Sequence, residues 1–320
     1  MSLLEVQNLS THFSTRIGTL KAVNGISFDL EAGDSLGLAG ESASGKTTTA
    51  LSIMRLIRPP GKIAGGKILF NGCDLVQAPI EKIREIRWKE ISIIFQGAMN
   101  ALNPVMSVGD QIAESIVAHE PQSKQEVSDR VSKLLKLVGI DESRYKSYPH
   151  ELSGGMKQRI MIAMSLSLNP KVVIADEPTT ALDVVVQAQI LKKIKEIQKK
   201  RNLSMILITH DLSIIANVCD RVAIMYAGKI VESGSVKALF KNPVHPYTKG
   251  LLKSVPSLEL DKQDLESIPG NPPDLVNPPR GCSFSPRCTC TRENCKNQLP
   301  CTIEVEPHHY VACHKADEGR

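Results

Sequence analysis

The run Gly40-Glu41-Ser42-Ala43-Ser44-Gly45-Lys46-Thr47 constrains this chain more than any other segment. It follows a short apolar run, residues 35–39, and opens apolar positions that fit a helix over 47–57. A buried strand that breaks into a glycine-bearing loop and then a helix is the setting of a phosphate-binding loop. Glycines let backbone N–H groups turn inward onto phosphate oxygens, and the helix N-terminus adds a positive end. On this reading Lys46 reaches the β- and γ-phosphates, the Thr47 hydroxyl ligates Mg²⁺, and Thr48 follows in the same phosphate-contacting turn.

Such a loop needs a sheet behind it, and the apolar pattern supplies one. Residues 3–31 alternate through Leu4, Val6, Leu9, Val23, Ile26, Phe28 and Leu30, which predicts antiparallel strands. The runs 172–175 and 205–208 are continuously apolar, as strands covered on both faces are, and a helix over 187–200 between them completes a βαβ unit. A further strand is expected over 91–95. From 108 to 168 the period is helical nearly throughout; Val127, Val131, Leu134, Leu135 and Val138 fall on one face, predicting a helical insertion. The strand 172–175 ends in Asp176-Glu177, so two carboxylates emerge where sheets of this kind bind ligands. Asp176 suits Mg²⁺, directly or through water, and Glu177 suits polarisation of the attacking water.

A third segment, Leu152-Ser153-Gly154-Gly155-Met156-Lys157-Gln158-Arg159, starts a helix whose N–H groups and Ser153 hydroxyl suit another phosphate. Taken with the first two motifs it resembles the signature of ATP-binding-cassette ATPases, with Met156 and Lys157 replacing the commoner glutamine and its neighbour. The resemblance spans residues 3 to about 235. It implies an α/β phosphate-loop ATPase domain with an antiparallel β subdomain and an inserted helical subdomain. It also implies further roles: Gln96 as the Mg²⁺-sensing glutamine, Pro178-Thr179-Thr180-Ala181-Leu182-Asp183 as the dimer-contact loop, His210 as the switch histidine at the γ-phosphate, and Phe13 as the aromatic stacked on adenine. In this family Ser153 and Gly155 of one subunit complete the site of the other, so that two subunits sandwich two ATP molecules.

Asn100-Ala101-Leu102-Asn103-Pro104 and His245-Pro246-Tyr247-Thr248-Lys249-Gly250-Leu251-Leu252 narrow the resemblance to dipeptide and oligopeptide importer ATPases, a branch that also serves nickel, glutathione and some oligosaccharides. The resemblance implies two membrane permeases as partners, a second ATPase subunit of the same or a related chain, and, indirectly, an external solute-binding protein. Residues 99–104 are where permease contact is expected.

Beyond about Gly234 the chain becomes proline-rich, through Pro256, Pro269, Pro272, Pro273, Pro278 and Pro279. The expected division is a cassette over 1–234, with its helical subdomain at about 97–168, and a small irregular extension over 235–320. Six of the eight cysteines crowd into residues 282–313, whereas Cys73 and Cys219 stand apart and read as plain small residues. In a reducing compartment such crowding argues for a metal or cluster site before disulfides. The importer branch implies a [4Fe–4S] cluster on Cys282, Cys288, Cys295 and Cys313, with Cys290 and Cys301 additional. Zinc on a cysteine set or on His308, His309 and His314 is the alternative, and unligated thiols the third reading.

The net charge is only +5 for 320 residues, and basic and acidic residues alternate on expected helices such as 190–201, so no nucleic-acid partner is expected. No stretch reaches the roughly 18 to 20 apolar residues of a membrane-spanning helix, and residues 1–11 lack an export signal. The expected location is the cytoplasmic face of the membrane. A nucleic-acid-associated or regulatory ATPase of the same superfamily is the competing reading, but repair and chromosome-organising members place a long coiled coil before the signature, and no sustained heptads occur here.

Overall fold

A computed structural model describes residues 2–97, 101–180, 182–254 and 268–319, without the side chains of 317–319. Met99 and Asn100 of the expected permease-facing segment, Ala181 and Pro256 lie outside the described residues. The chain packs as two units, Met1–Gln77 with Leu207–Arg320, and Ala78–Ile206.

In the first unit, β1 (Leu4–Thr15), β2 (Gly18–Leu30), β4 (Gly61–Phe70) and β5 (Cys73–Asp74) form an antiparallel sheet in the order β2-β1-β4-β5. Alternation in β1 and β2 buries Leu4, Val6, Val23, Ile26 and Leu30. The phase slips once: Asn8 adopts φ +48°, the register shifts there, and Leu9 rather than Asn8 is buried.

The same unit holds β3 (Ser35–Ala39), which is buried throughout and runs parallel to β9 (Arg221–Tyr226) with Leu36 opposite Arg221. Helix α1 (Lys46–Ile53) follows β3 through the glycine loop, and α7 (Leu212–Val218) precedes β9. Strand β10 (Lys229–Ser235) returns antiparallel to β9, then α8 (Val236–Lys241) and α9 (Pro246–Lys253) follow. The cysteine-rich tail is more ordered than its composition suggests. It contributes α10 (Glu293–Asn297) and a hairpin, β11 (Thr302–Glu306) with β12 (His309–Ala312), whose second strand pairs with β10 through Glu232 opposite Val311. Ile303 and Val305 alternate with exposed Thr302, Glu304 and Glu306, a strand pattern too short to stand out beside the prolines and cysteines.

In the second unit, β6 (Ile91–Ile94) and β7 (Val172–Asp176) are parallel neighbours with Ile91 opposite Val172. Helix α2 (Ile80–Ile86) precedes β6. The helical stretch resolves into α3 (Val108–Val117), α4 (Lys124–Leu137) and α5 (Gly154–Ser165). Each begins at a serine cap: Ser107 accepts from Asp110 N, Ser153 from Met156 N, and Ser123 forms a full capping box with Glu126. Val127, Val131, Leu134, Leu135 and Val138 are all buried, as the helical period requires. Helix α6 (Val184–Arg201) starts at Asp183, and β8 (Ser204–Thr209) carries the chain from this unit back into the first.

Candidate nucleotide site and cysteine site

The phosphate loop occupies the turn between β3 and α1. Its glycines are required by geometry: Gly40 has φ +146° and Gly45 φ +104°. A Cβ would stand 2.1 Å from Met225 O at the first and 2.4 Å from Ala22 O at the second. Gly45 starts α1 with no side-chain cap, so the first-turn N–H groups are presented to an anion. Lys46 is 6% exposed and folds back over the loop, its Nζ donating to Gly40 O at 2.7 Å, Glu41 O at 2.8 Å and Ser44 Oγ at 3.3 Å. The ammonium is thus held among the loop carbonyls. Ser42, Ala43 and Thr47 are exposed, Ser44 is buried and Thr48 is half-buried.

The second unit carries the carboxylates. Asp176, the last residue of β7, is 2% exposed. Glu177 follows at φ +46°, and its Oε2 accepts both from Gln96 Nε2, at 2.8 Å, and from Thr180 Oγ1, at 2.9 Å. The structure therefore brings together Gln96 and Glu177, which the sequence separates by 81 positions. Asp183 caps α6 by accepting from Val186 N at 2.9 Å. Ser153 caps α5, and at Gly155 a Cβ would lie 2.5 Å from Val186 Cγ1, so only glycine admits that side chain so closely.

In the first unit Phe13 is half-buried near the end of β1, its ring 2.5 Å from the place a Cβ would take on Gly61. His210 is exposed, just ahead of Asp211, which caps α7.

Two contacts to the loop come from residues whose role the sequence does not reveal. Tyr247, within the His-Pro-Tyr segment, accepts through its hydroxyl from Glu41 N at 2.8 Å. Arg287, between Pro286 and Cys288, grips the Glu41 carboxylate with both terminal nitrogens, at 2.7 and 3.0 Å. The motifs holding Tyr247 and Arg287 are conspicuous in the sequence; their distance from Glu41 along the chain conceals the contact.

Cys282, Cys288, Cys290, Cys295 and Cys313 line one cavity, which His245 and His314 also border. Cys301 is exposed and does not line it. Burial pushes the Cys282 thiol up to about 11, aided by the nearby Cys313, Cys295 and Cys288, and burial raises Cys288 and Cys313 in the same direction. Among the described residues no group of three His, Cys, Asp or Glu side chains is placed to hold a metal ion. Of the histidines weighed for zinc, His309 bonds Glu232 at 2.8 Å and His314 bonds the Gln298 carbonyl at 3.0 Å.

A strand, glycine loop and uncapped helix, with a second unit ending a parallel strand in Asp-Glu, define a phosphate-loop ATPase cassette. The ABC transporter family matches residues 23–180, and the oligopeptide/dipeptide transporter C-terminal region matches residues 231–295. The chain is 50% identical over 313 residues to the oligopeptide transport ATP-binding protein OppD of Bacillus subtilis, across 97% of this chain and 87% of that one. It is 49% identical over 319 residues to the dipeptide transport ATP-binding protein DppD of the same organism, across 99% and 95%. Among solved structures, cbiO1 from Clostridium perfringens, part of the ABC transporter complex cbiONQ, superposes with TM-score 0.65 at 31% identity, covering 75% of this chain and 91% of that one. The dimeric cassette MJ0796 bound to ADP and Pi shares the fold, with TM-score 0.66 at 22% identity over 73% and 98% of the two chains. The chain belongs to the ATP-binding subunits of oligopeptide and dipeptide ABC transporters, and is a transporter ATPase.

Proposed function

We propose that this chain is the motor of an importer for dipeptides, oligopeptides or a related small solute, working as a pair of ATPase subunits on two permeases at the cytoplasmic face of the membrane. In keeping with a peripheral subunit, no helix among the described residues is long and apolar enough to cross a membrane. The working cassette is residues 1–234, with 97–168 as its helical segment and 235–320 as the extension. Residues 99–104 meet the permease, and an external binding protein supplies the solute.

In this reading Phe13 stacks on adenine and the loop from Gly40 to Thr48 binds the phosphates. Lys46 neutralises β- and γ-phosphate charge, and Thr47, Asp176 and Gln96 hold Mg²⁺, which supplies further charge neutralisation when bound. Glu177 orients the attacking water, His210 contacts the γ-phosphate, and Ser153 and Gly155 of the opposite subunit close the site, with Asp183 in the dimer contact. A nucleotide shared between two surfaces stabilises the closed pair only while its γ-phosphate remains, which turns hydrolysis into a conformational cycle. The observation that carries the proposal is the carboxylate of Glu177 held by Gln96 and Thr180 at the end of β7. ATP turnover by the purified chain, and its loss in Glu177→Gln, tests it.

The cysteine cavity supports a second cofactor. Five thiols line it, Cys290 among them, and four thiolates are the usual ligand count of a [4Fe–4S] cluster. Cys282, Cys288, Cys295 and Cys313 are the proposed ligands, and the group would staple a proline-rich tail. Iron and acid-labile sulfide in anaerobically purified protein test this.

A further inference from the structure

Glu41 is a carboxylate placed inside a loop that must receive a polyphosphate. Left alone it would repel its ligand, and at 27% side-chain exposure it is only partly screened by water. Every polar group of Glu41 is nevertheless engaged. Its N–H donates to Tyr247 Oη at 2.8 Å, and its carbonyl accepts from Lys46 Nζ at 2.8 Å. Its Oε2 and Oε1 accept from Arg287 Nη1 and Nη2 at 2.7 and 3.0 Å. The residue whose carbonyl steers Lys46 is therefore held by the extension at two points, its N–H by Tyr247 and its carboxylate by Arg287.

Arg287 is itself over-determined. Its side chain is 5% exposed, Nε donates to Pro269 O at 2.8 Å, Nη2 to Ile268 O at 3.2 Å and Nη1 to Tyr226 Oη at 3.3 Å. Its guanidinium carbon lies 5.8 Å from the Tyr226 ring centroid and 6.0 Å from that of Phe284, close enough for cation–π attraction. A planar fork with five donors suits this setting; a lysine could supply only a point charge. Backbone bonds place the fork: Arg287 N donates to Phe284 O at 3.0 Å, and Cys282 N, at the start of the same turn, donates to Cys295 O at 2.8 Å. The guanidinium thus hangs from the frame that carries the cysteines.

We propose that Arg287 is a positioning residue of the nucleotide site, cancelling the charge of Glu41 and fixing the loop carbonyl that holds Lys46, so that the cysteine-rich extension is a working part of the phosphate loop. The proposal rests on the ATP-binding reading of that loop.

The test is equilibrium binding of a fluorescent ATP analogue to the purified chain, with thermal unfolding measured in parallel. Arg287→Ala should weaken binding about tenfold, Arg287→Lys should lose less, and the loss should shrink as salt rises, since the exposed repulsion is screened. Glu41→Gln placed in the Arg287→Ala background should restore most of the affinity, because the repelling charge is gone. A residue that merely stabilises the fold would lower the thermal midpoint without this rescue or salt dependence. Should Arg287→Ala fail to fold, Arg287→Gln carries the same expectations. Wild-type affinity in a folded Arg287 variant, or no rescue by Glu41→Gln, would overturn the proposal. Lys46→Ala separates the underlying reading: if wild-type binding does not depend on Lys46, the ATP assignment of the loop fails, and the proposal with it.

Discussion

Replacing Glu177 by glutamine separates the chemistry of the site from its architecture. Two donors, Gln96 Nε2 at 2.8 Å and Thr180 Oγ1 at 2.9 Å, converge on the same oxygen of this side chain, Oε2. An amide of the same shape can keep its oxygen there and retain both contacts, so Glu177→Gln should fold as the parent does and bind ATP. What it loses is the negative charge to which we assign the orientation and polarisation of water. General-base assistance is worth about 100- to 10,000-fold, or about 3–6 kcal/mol at roughly 1.4 kcal/mol per decade, so turnover should fall by that factor while nucleotide affinity stays within a few-fold. With hydrolysis stalled, ATP should also trap the dimer, visible as a shift in size-exclusion elution that ADP does not cause. Steady-state ATPase assays beside equilibrium binding decide the matter. A drop in turnover below tenfold in folded, ATP-binding Glu177→Gln would remove Glu177 from the catalytic role.

If two subunits share each site, mixing Ser153→Arg with Glu177→Gln protein yields dimers with one doubly damaged and one intact site, so partial ATPase activity should return; none, despite verified mixed dimers, refutes sharing. Single replacement of Cys282, Cys288, Cys295 or Cys313 should reduce bound iron and sulfide together in anaerobic protein, whereas replacement of Cys301, which lies outside the cavity, should spare both. Cys290 lines the cavity and is expected to be dispensable; loss of iron on its replacement alone would reassign the ligand set. Glu232→Ala strips the acceptor from the half-buried Val244 N–H and from the buried His245 N–H and His309 ring, and should cost about 3–5 kcal/mol, read as a lowered denaturation midpoint. An unchanged midpoint would mean that the tail contributes nothing to stability.

What the sequence made legible was whatever is encoded over a few residues. The phosphate loop is an example: glycines at 40 and 45 stand where the backbone needs φ +146° and +104° and where a Cβ would collide with Met225 O and Ala22 O. Ser153 likewise announced a helix start, whereas the caps at Ser107 and Ser123, each also accepting from the N–H three residues on, emerged only with the structure. Apolar period found the strands around the loop, and even the slip at Asn8 is present in the sequence, since Leu4, Val6 and Leu9 cannot all share one face without a bulge. Long-range pairing is another matter. Glu41 and Arg287 are 246 positions apart, and each is an ordinary charged residue until the fold makes them a pair. The cysteine spacing has the same weakness: it does not say that Cys290 lines the cavity and Cys301 does not.

What ties the tail down is visible only in the structure. Strand β10 reads Lys229-Ile230-Val231-Glu232, and Glu232 is 0% exposed. A carboxylate can occupy such a place only if donors are brought to it, because burying it unpaired costs far more than a strand can return. They arrive from beyond the proline-rich boundary: Val244 N at 2.8 Å, His245 N at 3.0 Å and His309 Nε2 at 2.8 Å. The first two fix the start of α9, whose Tyr247 reaches Glu41, and the third fixes β12 alongside β10. One buried acid thereby joins the β-hairpin of the extension to the helix that supports the phosphate loop, and the composition break near Gly234 marks a change of texture across which the packing is continuous.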